Sequence, residues 1–343
     1  MNANSPASQS LELCVIEGDG VGHDIIPAVL QVLKIVAPDV VVRPAVAGWE
    51  FFQQHRIPLP EATIEEALRC RAVLIGAIAA PPYPVEGYFS PVVSLRRALQ
   101  TYANLRPTRY LPVPTSRLGV DLLVVRENTE DLYIGHEHTE NEGRMGIAEK
   151  VITREATERV ARLAYELASK TGRRKITIVH KANVLQQSDG LFRRVALEIA
   201  GYYPEIMTDE LFVDTAAYWM VKDPSRFDVI LTPNLYGDIL SDMAAAWGGG
   251  LGLAPSVSVG DQVTMAEPIH SGSGETQGQA NPTAALLSLA MLLEHQWGRG
   301  DAARRIEGAV QAALRDGDYT VDIYTDGALS TTDFIQRICA CLQ

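Results

Sequence analysis

Three aspartates are spaced in a way that could bind a divalent cation. Asp238 and Asp242 lie four residues apart at the predicted start of a helix, so their carboxylates project from one face. Asp214 ends an apolar stretch that we predict to be a strand. Three converging carboxylates would form an oxygen-rich site suited to Mg²⁺ or Mn²⁺. The alternative for the helical pair is solvated acids whose repulsion the helix N-terminus offsets.

Arginines form a second set of candidates. Arg96 and Arg97 fall on a predicted helix, and Arg106 precedes a proline that holds it in an extended segment. Arg126 ends a predicted buried strand. The planar guanidinium suits carboxylates, so three arginines at one cleft would indicate a di- or tricarboxylate ligand. Ion pairs with nearby glutamates are the alternative.

Lys181 and Tyr133 are two further polar candidates. Lys181 follows a predicted strand, and open α/β sheets carry functional groups at the C-terminal ends of their strands. A solvated lysine is the alternative. Tyr133 could equally be a core tyrosine whose hydroxyl finds a partner.

The glycine-rich segment Gly18-Asp-Gly-Val-Gly22 lies between a predicted strand and a predicted helix. It lacks the third glycine one position later and the acidic residue about 20 positions further on that a dinucleotide-binding fingerprint requires. We therefore interpret it as a tight turn.

The elements that must position these residues alternate between strand and helix. Predicted strands cover 11–16, 40–46, 72–78, 122–126, 176–180 and 227–232. Predicted helices cover 27–36, 64–69, 94–101, 154–169, 239–246, 283–294 and 302–314. This alternation is typical of an α/β fold with a largely parallel sheet. The polar segment 136–149 is either a mobile loop or an arm that pairs with a partner chain.

The composition excludes several kinds of partner. The 343 residues include 30 basic and 42 acidic side chains, and a net charge of −12 argues against nucleic acid or an anionic membrane. Apolar runs end well short of the roughly 18 residues of a membrane span. The polar start, residues 1–10, lacks the features of a signal peptide. Four scattered cysteines indicate a reducing, cytoplasmic compartment.

Taken together, these segments resemble the β-decarboxylating dehydrogenases, the family of isocitrate, 3-isopropylmalate, homoisocitrate and tartrate dehydrogenases. The resemblance covers nearly everything from residue 17 onward, and it is closest to homoisocitrate dehydrogenases. Its most specific segments are Tyr102-Ala-Asn-Leu-Arg-Pro107, Arg126-Glu-Asn-Thr-Glu-Asp-Leu-Tyr133, His180-Lys-Ala-Asn-Val184, Asn234-Leu-Tyr-Gly-Asp-Ile-Leu-Ser-Asp242 and Glu267-Pro-Ile-His270.

The resemblance implies an isopropylmalate dehydrogenase-like two-domain α/β fold, not a Rossmann domain. Residues 1–101 and 254–343 would form a large cofactor-side domain. Residues 102–253 would form a central substrate and dimerisation domain. Its arm, residues 136–150, would clasp the second subunit of a homodimer.

The resemblance also implies the role of each candidate. Tyr133 and Lys181 would be catalytic, and Asp214, Asp238 and Asp242 would bind the metal. The substrate-binding residues would be Ser90, Val93, Arg96, Arg106, Arg126 and Asn183. Lys181, Asn183 and Asp214 would come from the other subunit.

The implied reaction is the metal-dependent oxidation and decarboxylation of a 3-substituted malate. Lys181 would help remove the hydroxyl proton while a hydride passes to the nicotinamide, and Tyr133 would protonate the carbanion after CO₂ leaves. A non-catalytic regulatory subunit is the alternative of another class, although such chains usually lose catalytic or metal positions that are present here.

The substrate's variable arm should meet the residues that precede Arg96. Ser90 matches isocitrate enzymes, but Val92 replaces their asparagine, and isopropylmalate enzymes carry leucines where this chain has Val92 and Val93. The run 85–97 is most similar to homoisocitrate dehydrogenases. We therefore predict homoisocitrate, with isocitrate, 3-isopropylmalate or a related 3-substituted malate as alternatives.

The cofactor is predicted to be NAD. The resemblance implies that Glu267, His270, Glu275 and Asn281 bind it, although the loop 270–281 is about two residues shorter than in the family. Glu275 falls where NAD-dependent members carry an aspartate for the ribose hydroxyls, and an acid there would repel the 2′-phosphate of NADP.

Overall fold

The computed structural model describes residues 11–269 and 277–343. The strands in these ranges are β1 (Glu12–Ile16), β2 (Val41–Ala45), β3 (Ala72–Ile75), β4 (Ala103–Arg109), β5 (Asp121–Glu127), β6 (Glu137–Glu140), β7 (Met145–Ala148), β8 (Lys175–His180), β9 (Met207–Phe212), β10 (Val229–Thr232), β11 (Val257–Val259) and β12 (Thr264–Ala266). The α-helices are α1 (Gly22–Val36), α2 (Trp49–His55), α3 (Glu61–Cys70), α4 (Pro91–Ala98), α5 (Arg154–Thr171), α6 (Ser188–Ala200), α7 (Val213–Lys222), α8 (Asn234–Gly248), α9 (Thr283–Trp297), α10 (Gly300–Arg315) and α11 (Thr331–Leu342).

Ten of the described strands form one sheet in the order β2-β1-β3-β12-β11-β4-β5-β10-β8-β9. Strands β2, β1, β3 and β12 are parallel to one another, and so are β5, β10, β8 and β9. Strands β11 and β4 connect these halves through antiparallel pairs. The predicted α/β fold with a largely parallel sheet is confirmed, with an antiparallel centre that the sequence pattern did not reveal.

Helices cover both faces of each half of the sheet because its strands are apolar on both sides. In the first half, α1, α9, α10 and α11 pack on one face, and α3 and α4 pack on the other. In the second half, α5 and α6 cover one face, and α7 and α8 cover the other. The inner strands are therefore buried between two helical layers, as expected for parallel sheets, whereas the edge strands β2 and β9 are partly exposed.

The tight turn predicted at 18–22 is present between β1 and α1. Gly18 has a φ of +82°, and a Cβ there would lie 2.0 Å from the Ala77 carbonyl oxygen. The buried Asp19 carboxylate accepts hydrogen bonds from the backbone of Trp49, Glu50 and Ala79. The segment thus holds the start of α2 and the stretch after β3 against the turn.

Several predicted boundaries were wrong, including the start of α8, which is Asn234 instead of residue 239. Helix α1 begins at Gly22 and contains Pro27, whereas we had placed its start near that proline. Asp214 does not end a strand but lies in the first turn of α7, because the edge strand β9 already stops at Phe212. The acid therefore projects from a helix N-terminus.

The polar segment 136–149 is an ordered antiparallel hairpin. Strands β6 and β7 pair with each other and with no other described strand, and their side chains are largely exposed. This arrangement fits the arm better than the mobile loop. The division of the chain into two domains stays a prediction.

In the ranges 11–269 and 277–343, no helix combines the length and the apolar character needed to cross a membrane. All four cysteines are free.

Candidate active site

One face of the antiparallel centre of the sheet carries buried polar residues. Side chains alternate along a strand, so Asn104 and Arg106 of β4 share one face while Leu105 points to the other. Arg126 of β5 lies opposite Asn104 in the register and shares the same face. Arg106 is 7% exposed and Arg126 is 1% exposed. The alternation therefore buries two guanidinium groups side by side.

Helix α8 brings two carboxylates to these arginines. Asp238 and Asp242 lie one helical turn apart, and both carboxylates contact Arg106. Gly237 permits the close approach of helix and strand, because a Cβ at this position would lie 2.6 Å from Arg126 Cγ. The spacing of four residues thus places both acids on the face predicted from the sequence.

Asp238 is the shared acceptor of the cluster. Arg126 Nη1 lies 2.5 Å from Asp238 Oδ1, and Arg106 Nη1 lies 3.2 Å from the same oxygen. The Tyr133 hydroxyl donates to Asp238 Oδ2 over 2.5 Å. Asp242 contacts only Arg106 Nη1, at 3.3 Å, among the basic groups of the described chain. Residues from three elements, β4, β5 and the turn that carries Tyr133, therefore contact one carboxylate on α8.

The surroundings shift the pKa values of these groups in different directions. Burial would raise the pKa of Asp238, but attraction to Arg126 and Arg106 outweighs it and holds that pKa below its usual range. At Asp242 burial dominates and raises the pKa. Burial also raises the pKa of the Tyr133 hydroxyl. Burial and repulsion from Arg106 lower the pKa of Arg126 to about 10. At neutral pH the cluster thus contains an ionised Asp238, a protonated Tyr133 and a charged Arg126.

Arg96 joins the cluster through a buried ion pair. Its Nη2 lies 3.0 Å from Glu267 Oε2, and its Nε donates to Oε1 and Oε2 over 3.2 and 3.1 Å. Asn104 donates to Glu267 Oε1 over 3.1 Å and accepts from Arg106 Nε over 2.6 Å. One carboxylate and one amide therefore orient two guanidinium groups.

Arg126 retains an unused donor. Its Nε donates to Asn234 Oδ1 over 2.9 Å, whereas its Nη2 is buried and has no hydrogen-bond partner among the described residues. A buried donor without a partner costs about 1–3 kcal/mol. A ligand carboxylate that reached this nitrogen would remove that cost.

A cavity of about 230 Å³ adjoins the cluster. Its charged lining consists of Arg96, Arg106, Asp238, Asp242 and Glu267. Its apolar lining includes Ile75, Ile78, Val92, Pro268 and Ile269. A molecule in this cavity would meet arginines and acids on one side and an apolar wall on the other.

The residues predicted to contact the substrate's variable arm lie at the start of α4. Val92 lines the cavity. Ser90 caps the helix, and its Oγ accepts from the Val93 backbone N–H over 3.4 Å. Of these three residues, Val92 is therefore the one whose position allows contact with a molecule in the cavity.

Lys181, Asn183 and Asp214 form a separate group. Lys181 Nζ pairs with Asp214, and this hydrogen bond lowers the pKa of the aspartate. The Asp214 side chain is 64% exposed, and Asn183 is exposed in the turn after β8. The described residues contain no group of three or more His, Cys, Asp or Glu side chains that could hold a metal ion. One copy of the chain therefore brings Asp238 and Asp242 together without Asp214.

Two of the predicted cofactor residues already have protein partners. Glu267 pairs with Arg96. Asn281 is 1% exposed, donates to Asp322 Oδ2 over 3.1 Å and accepts from the Thr283 backbone N–H over 2.9 Å. His270 and Glu275 lie outside the described residues.

A larger cavity of about 480 Å³ lies on the opposite face of the central strands, where Leu105 and Leu123 point. Residues of α5, α8, α9 and α10 contribute to its other walls. None of the candidate residues within the described ranges lines it, so size alone does not identify the site.

The structure adds residues that sequence reasoning did not single out. Asn104 lies in the quoted segment 102–107, and its two-residue spacing from Arg106 on a strand was the available signal. Asn234, the first residue of α8, holds Arg126 Nε. Its role depends on a pairing across 108 positions and had no local signal.

Comparisons with known proteins agree with this geometry. Residues 12–338 match the family model described as isocitrate/isopropylmalate dehydrogenase. The chain is 44% identical over 333 residues to the isocitrate/homoisocitrate dehydrogenase of Thermus thermophilus, covering 96% of this chain and 98% of the relative. It is 40% identical over 337 residues to the homoisocitrate dehydrogenase of Methanocaldococcus jannaschii, covering 94% and 95% of the two chains. The solved structure of isocitrate dehydrogenase from Methylococcus capsulatus superposes with a TM-score of 0.93 at 38% identity, covering 96% and 99%.

Proposed function

The chain belongs to the isocitrate/isopropylmalate dehydrogenase family and is a decarboxylating dehydrogenase, and from this premise we propose that it oxidises and decarboxylates a 3-substituted (2R)-malate. The observation that carries the proposal is that the buried Arg96 and Arg106 line one cavity together with Asp238, which also pairs with the buried Arg126. Such a substrate carries a hydroxyl group and at least two carboxylates, which suit guanidinium partners.

Guanidinium groups are concentrated at this place in an otherwise acidic chain. The chain as a whole carries a net charge of −12, so an anion is repelled by most of the surface. Arg96, Arg106 and Arg126 are buried here and are balanced by the carboxylates of Glu267, Asp238 and Asp242. Arg96 and Arg106 also line the cavity, where a substrate carboxylate could accept hydrogen bonds from them.

Asp238 and Asp242 fit two ligands of a Mg²⁺ or Mn²⁺ ion, because both carboxylates line the cavity and hard cations prefer oxygen. The Asp242 side chain is 50% exposed, which leaves its oxygens accessible. When bound, the ion would act as a Lewis acid towards the substrate hydroxyl and the later carbonyl. Arg106 and Arg126 pair with Asp238 in this structure, and with Asp238 bound to a cation their guanidinium groups would be free to contact the substrate.

A homodimer would complete the site. Lys181 and Asp214 pair with each other away from Asp238 and Asp242, so a second copy is needed to supply them. Large apolar side chains are exposed on α7 and in the turn that follows β8: Val184 at 65%, Tyr218 at 55% and Val221 at 63%. Exposed apolar patches often mark subunit interfaces. The hairpin β6–β7 would be the arm that clasps the partner.

Two side chains would transfer protons. Lys181 from the partner copy would take the proton from the C2 hydroxyl while NAD accepts the hydride. Tyr133 would protonate C3 after CO₂ leaves. Burial raises the pKa of its hydroxyl, so the proton is still present at neutral pH. Asp238, which lines the cavity, accepts the hydrogen bond from this hydroxyl and so orients it.

The apolar side of the cavity supports a nicotinamide ring as the neighbour of the substrate. Ile75, Ile78 and Ile269 line it next to Arg96. We propose NAD as the cofactor because Glu275 would repel the 2′-phosphate of NADP. Glu267, His270, Glu275 and Asn281 stay predicted cofactor residues.

Homoisocitrate is the substrate that we propose within this class, with isocitrate and 3-isopropylmalate as the alternatives. Val92 lines the cavity, and a branched apolar side chain neither donates to a carboxylate arm, as an asparagine would, nor fills the space of a leucine. The relative from Thermus thermophilus bears a name that includes both isocitrate and homoisocitrate.

We also propose the division into residues 1–101 with 254–343 and residues 102–253. The cavity lining includes Val92, Arg96 and Glu267 from the first set and Arg106 and Asp238 from the second, as expected for a cleft between two domains. Four free cysteines support the proposed cytoplasmic location.

Initial-rate assays test the proposal. The purified chain with Mg²⁺ is supplied with NAD or NADP and with homoisocitrate, isocitrate or 3-isopropylmalate, and reduced cofactor and CO₂ are both measured. We expect equal amounts of reduced cofactor and CO₂, the highest kcat/KM with homoisocitrate and NAD, and loss of turnover in EDTA. Reduction without CO₂ release, or turnover unaffected by EDTA, would contradict the proposed reaction.

A further inference from the structure

A buried lysine at the base of the hairpin contacts two carboxylates at once. Lys150 Nζ lies 2.8 Å from Asp189 Oδ1 and 3.4 Å from Asp131 Oδ1. Both aspartate side chains are 0% exposed, and the lysine side chain is 11% exposed. The ammonium also lies 4.2 Å from the centre of the Tyr236 ring. Lys150 is therefore the positive centre of a buried ionic cluster that the proposed reaction does not use directly.

Asp131 connects this cluster to Tyr133. Its Oδ1 accepts from the Leu132 backbone N–H over 2.8 Å, at the start of the 3₁₀ turn Leu132–Ile134 that carries the tyrosine. Its Oδ2 accepts from the Leu235 backbone N–H over 2.9 Å, in the first turn of α8, the helix of Asp238. One carboxylate thus fixes both ends of the hydrogen bond between Tyr133 and Asp238.

Asp189 connects the same cluster to Lys181. Its Oδ2 accepts from the Lys181 backbone N–H over 2.7 Å, and its Oδ1 faces Lys150 as an ion pair without an aligned hydrogen bond. The aspartate lies in the first turn of α6, directly after the turn that carries Lys181. The carboxylate thus fixes the backbone at the residue we propose as the base.

We propose that Lys150 is a positioning residue that holds the Tyr133 and Lys181 segments of one chain in register. This inference rests on the proposed function, because the orientation of Tyr133 and Lys181 matters only if both residues act in the reaction. In the proposed dimer, Tyr133 serves its own chain's site and Lys181 serves the partner's site. Lys150 then connects the two active sites of the dimer through a single buried ammonium group.

Electrostatics explain why this residue must be a cation. Two buried carboxylates that share one ammonium group repel each other, and removing that ammonium leaves uncompensated buried charge. Movement of either carboxylate towards solvent would lower this electrostatic energy most easily. Such movement would take the Leu132, Leu235 or Lys181 backbone with it. A misplacement of about 1 Å can lower turnover by roughly 10²-fold.

The test compares Lys150→Met with a matched control. The control is Lys175→Met. Lys175 is another partly buried lysine, it pairs with Asp209 at 2.8 Å, and it lies on β8, the strand that leads to Lys181. For Lys150→Met we expect kcat to fall roughly 10- to 100-fold, with the KM for the hydroxy acid changed less than about threefold. Lys150→Arg should recover a large part of the loss, and Lys175→Met should keep the wild-type kcat.

Amide hydrogen exchange provides a readout that does not require turnover. The backbone amides of Lys181 and Leu132 should exchange faster in Lys150→Met than in the wild type. In Lys175→Met their exchange rates should equal those of the wild type. If Lys150→Met folds and has the kcat and the amide exchange rates of the wild type, the inference is overturned. Equal losses of kcat in Lys150→Met and Lys175→Met would also overturn it. If Lys150→Met does not fold, Asp189→Asn replaces it, and unchanged Lys181 exchange and kcat would overturn the inference. A wild-type enzyme inactive on every 3-substituted malate would instead refute the proposed function, while the exchange data would still test the coupling.

Discussion

The hydroxyl of Tyr133 and the carboxylate of Asp238 form a 2.5 Å hydrogen bond although 105 positions separate them in the chain. The bond forms because the segment that follows β5 and the first turns of α8 meet above the antiparallel centre of the sheet. It places the proposed proton donor beside a proposed metal ligand. The chemistry therefore depends on how two distant segments are held together.

Tyr133→Phe tests the role of this hydroxyl. We expect kcat to fall by roughly 10²–10⁴-fold, as is typical for the loss of a general acid, with a much smaller change in the KM of the hydroxy acid. Initial rates of cofactor reduction measure both. Tyr202→Phe is the control, because that side chain is 70% exposed. Near-normal turnover of Tyr133→Phe would assign the proton to another group.

Arg126→Lys tests substrate binding. The lysine keeps the positive charge but loses the planar guanidinium group. It can no longer contact Asn234 and Asp238 at the same time, and it lacks the Nη2 nitrogen that has no partner among the described residues. The KM of the hydroxy acid should rise roughly 10- to 100-fold, the value expected for a lost charge-assisted hydrogen bond. Arg43→Lys, in an exposed pair with Glu12, should leave KM unchanged. An unaltered KM in Arg126→Lys would remove this arginine from the substrate site.

Glu267→Gln separates two roles for the glutamate. If Glu267 orients Arg96, as their ion pair suggests, the KM of the hydroxy acid should rise about tenfold while the KM of NAD stays the same. If Glu267 instead binds the cofactor directly, the KM of NAD should rise while the KM of the hydroxy acid stays the same. Glu66→Gln, which disrupts an exposed pair with Arg69, is the control. Measuring both KM values in each variant decides between the roles.

Glu130 predicts a pH dependence of stability that is separate from catalysis. Burial and repulsion from Glu127 raise the pKa of Glu130 to about 7. The folded state therefore holds this proton more tightly than the unfolded state, and the resulting stability is lost as the pH rises from about 4.5 through 7. Thermal melting between pH 5 and 8 should show a steeper decline for the wild type than for Glu130→Gln. Parallel curves would show that the glutamate has no such linkage.

Much of the fold followed from the sequence because its strands are continuous apolar runs and its helices are amphipathic. Strands β1, β5, β8 and β10 were predicted within a few residues. Strands β11 and β12 have three residues each and carry no periodic signal. Their antiparallel and parallel partners depend on contacts far away in the chain, so the mixed centre of the sheet was not predictable from local pattern.

The site was predictable to a similar extent. Arg96, Arg106, Asp238 and Asp242 were identified by residue type and spacing, and the structure brings them to one cavity. The partner of Arg96 is 171 positions away, and the cluster around Lys150 joins three separate segments. Such pairings are properties of the folded chain. No spacing rule within a strand or helix reveals them.

The central claim is that two copies of the chain complete each active site, with Tyr133 from one and Lys181 from the other. Coexpression of Tyr133→Phe and Lys181→Met chains under different tags, followed by two-step purification, yields the mixed dimer. Each parent variant should be nearly inactive. A shared site predicts about half of the wild-type kcat per mixed dimer, because one of its two sites then contains both native residues. A mixed dimer as inactive as its parents would show that Tyr133 and Lys181 act within a single chain and would contradict the account.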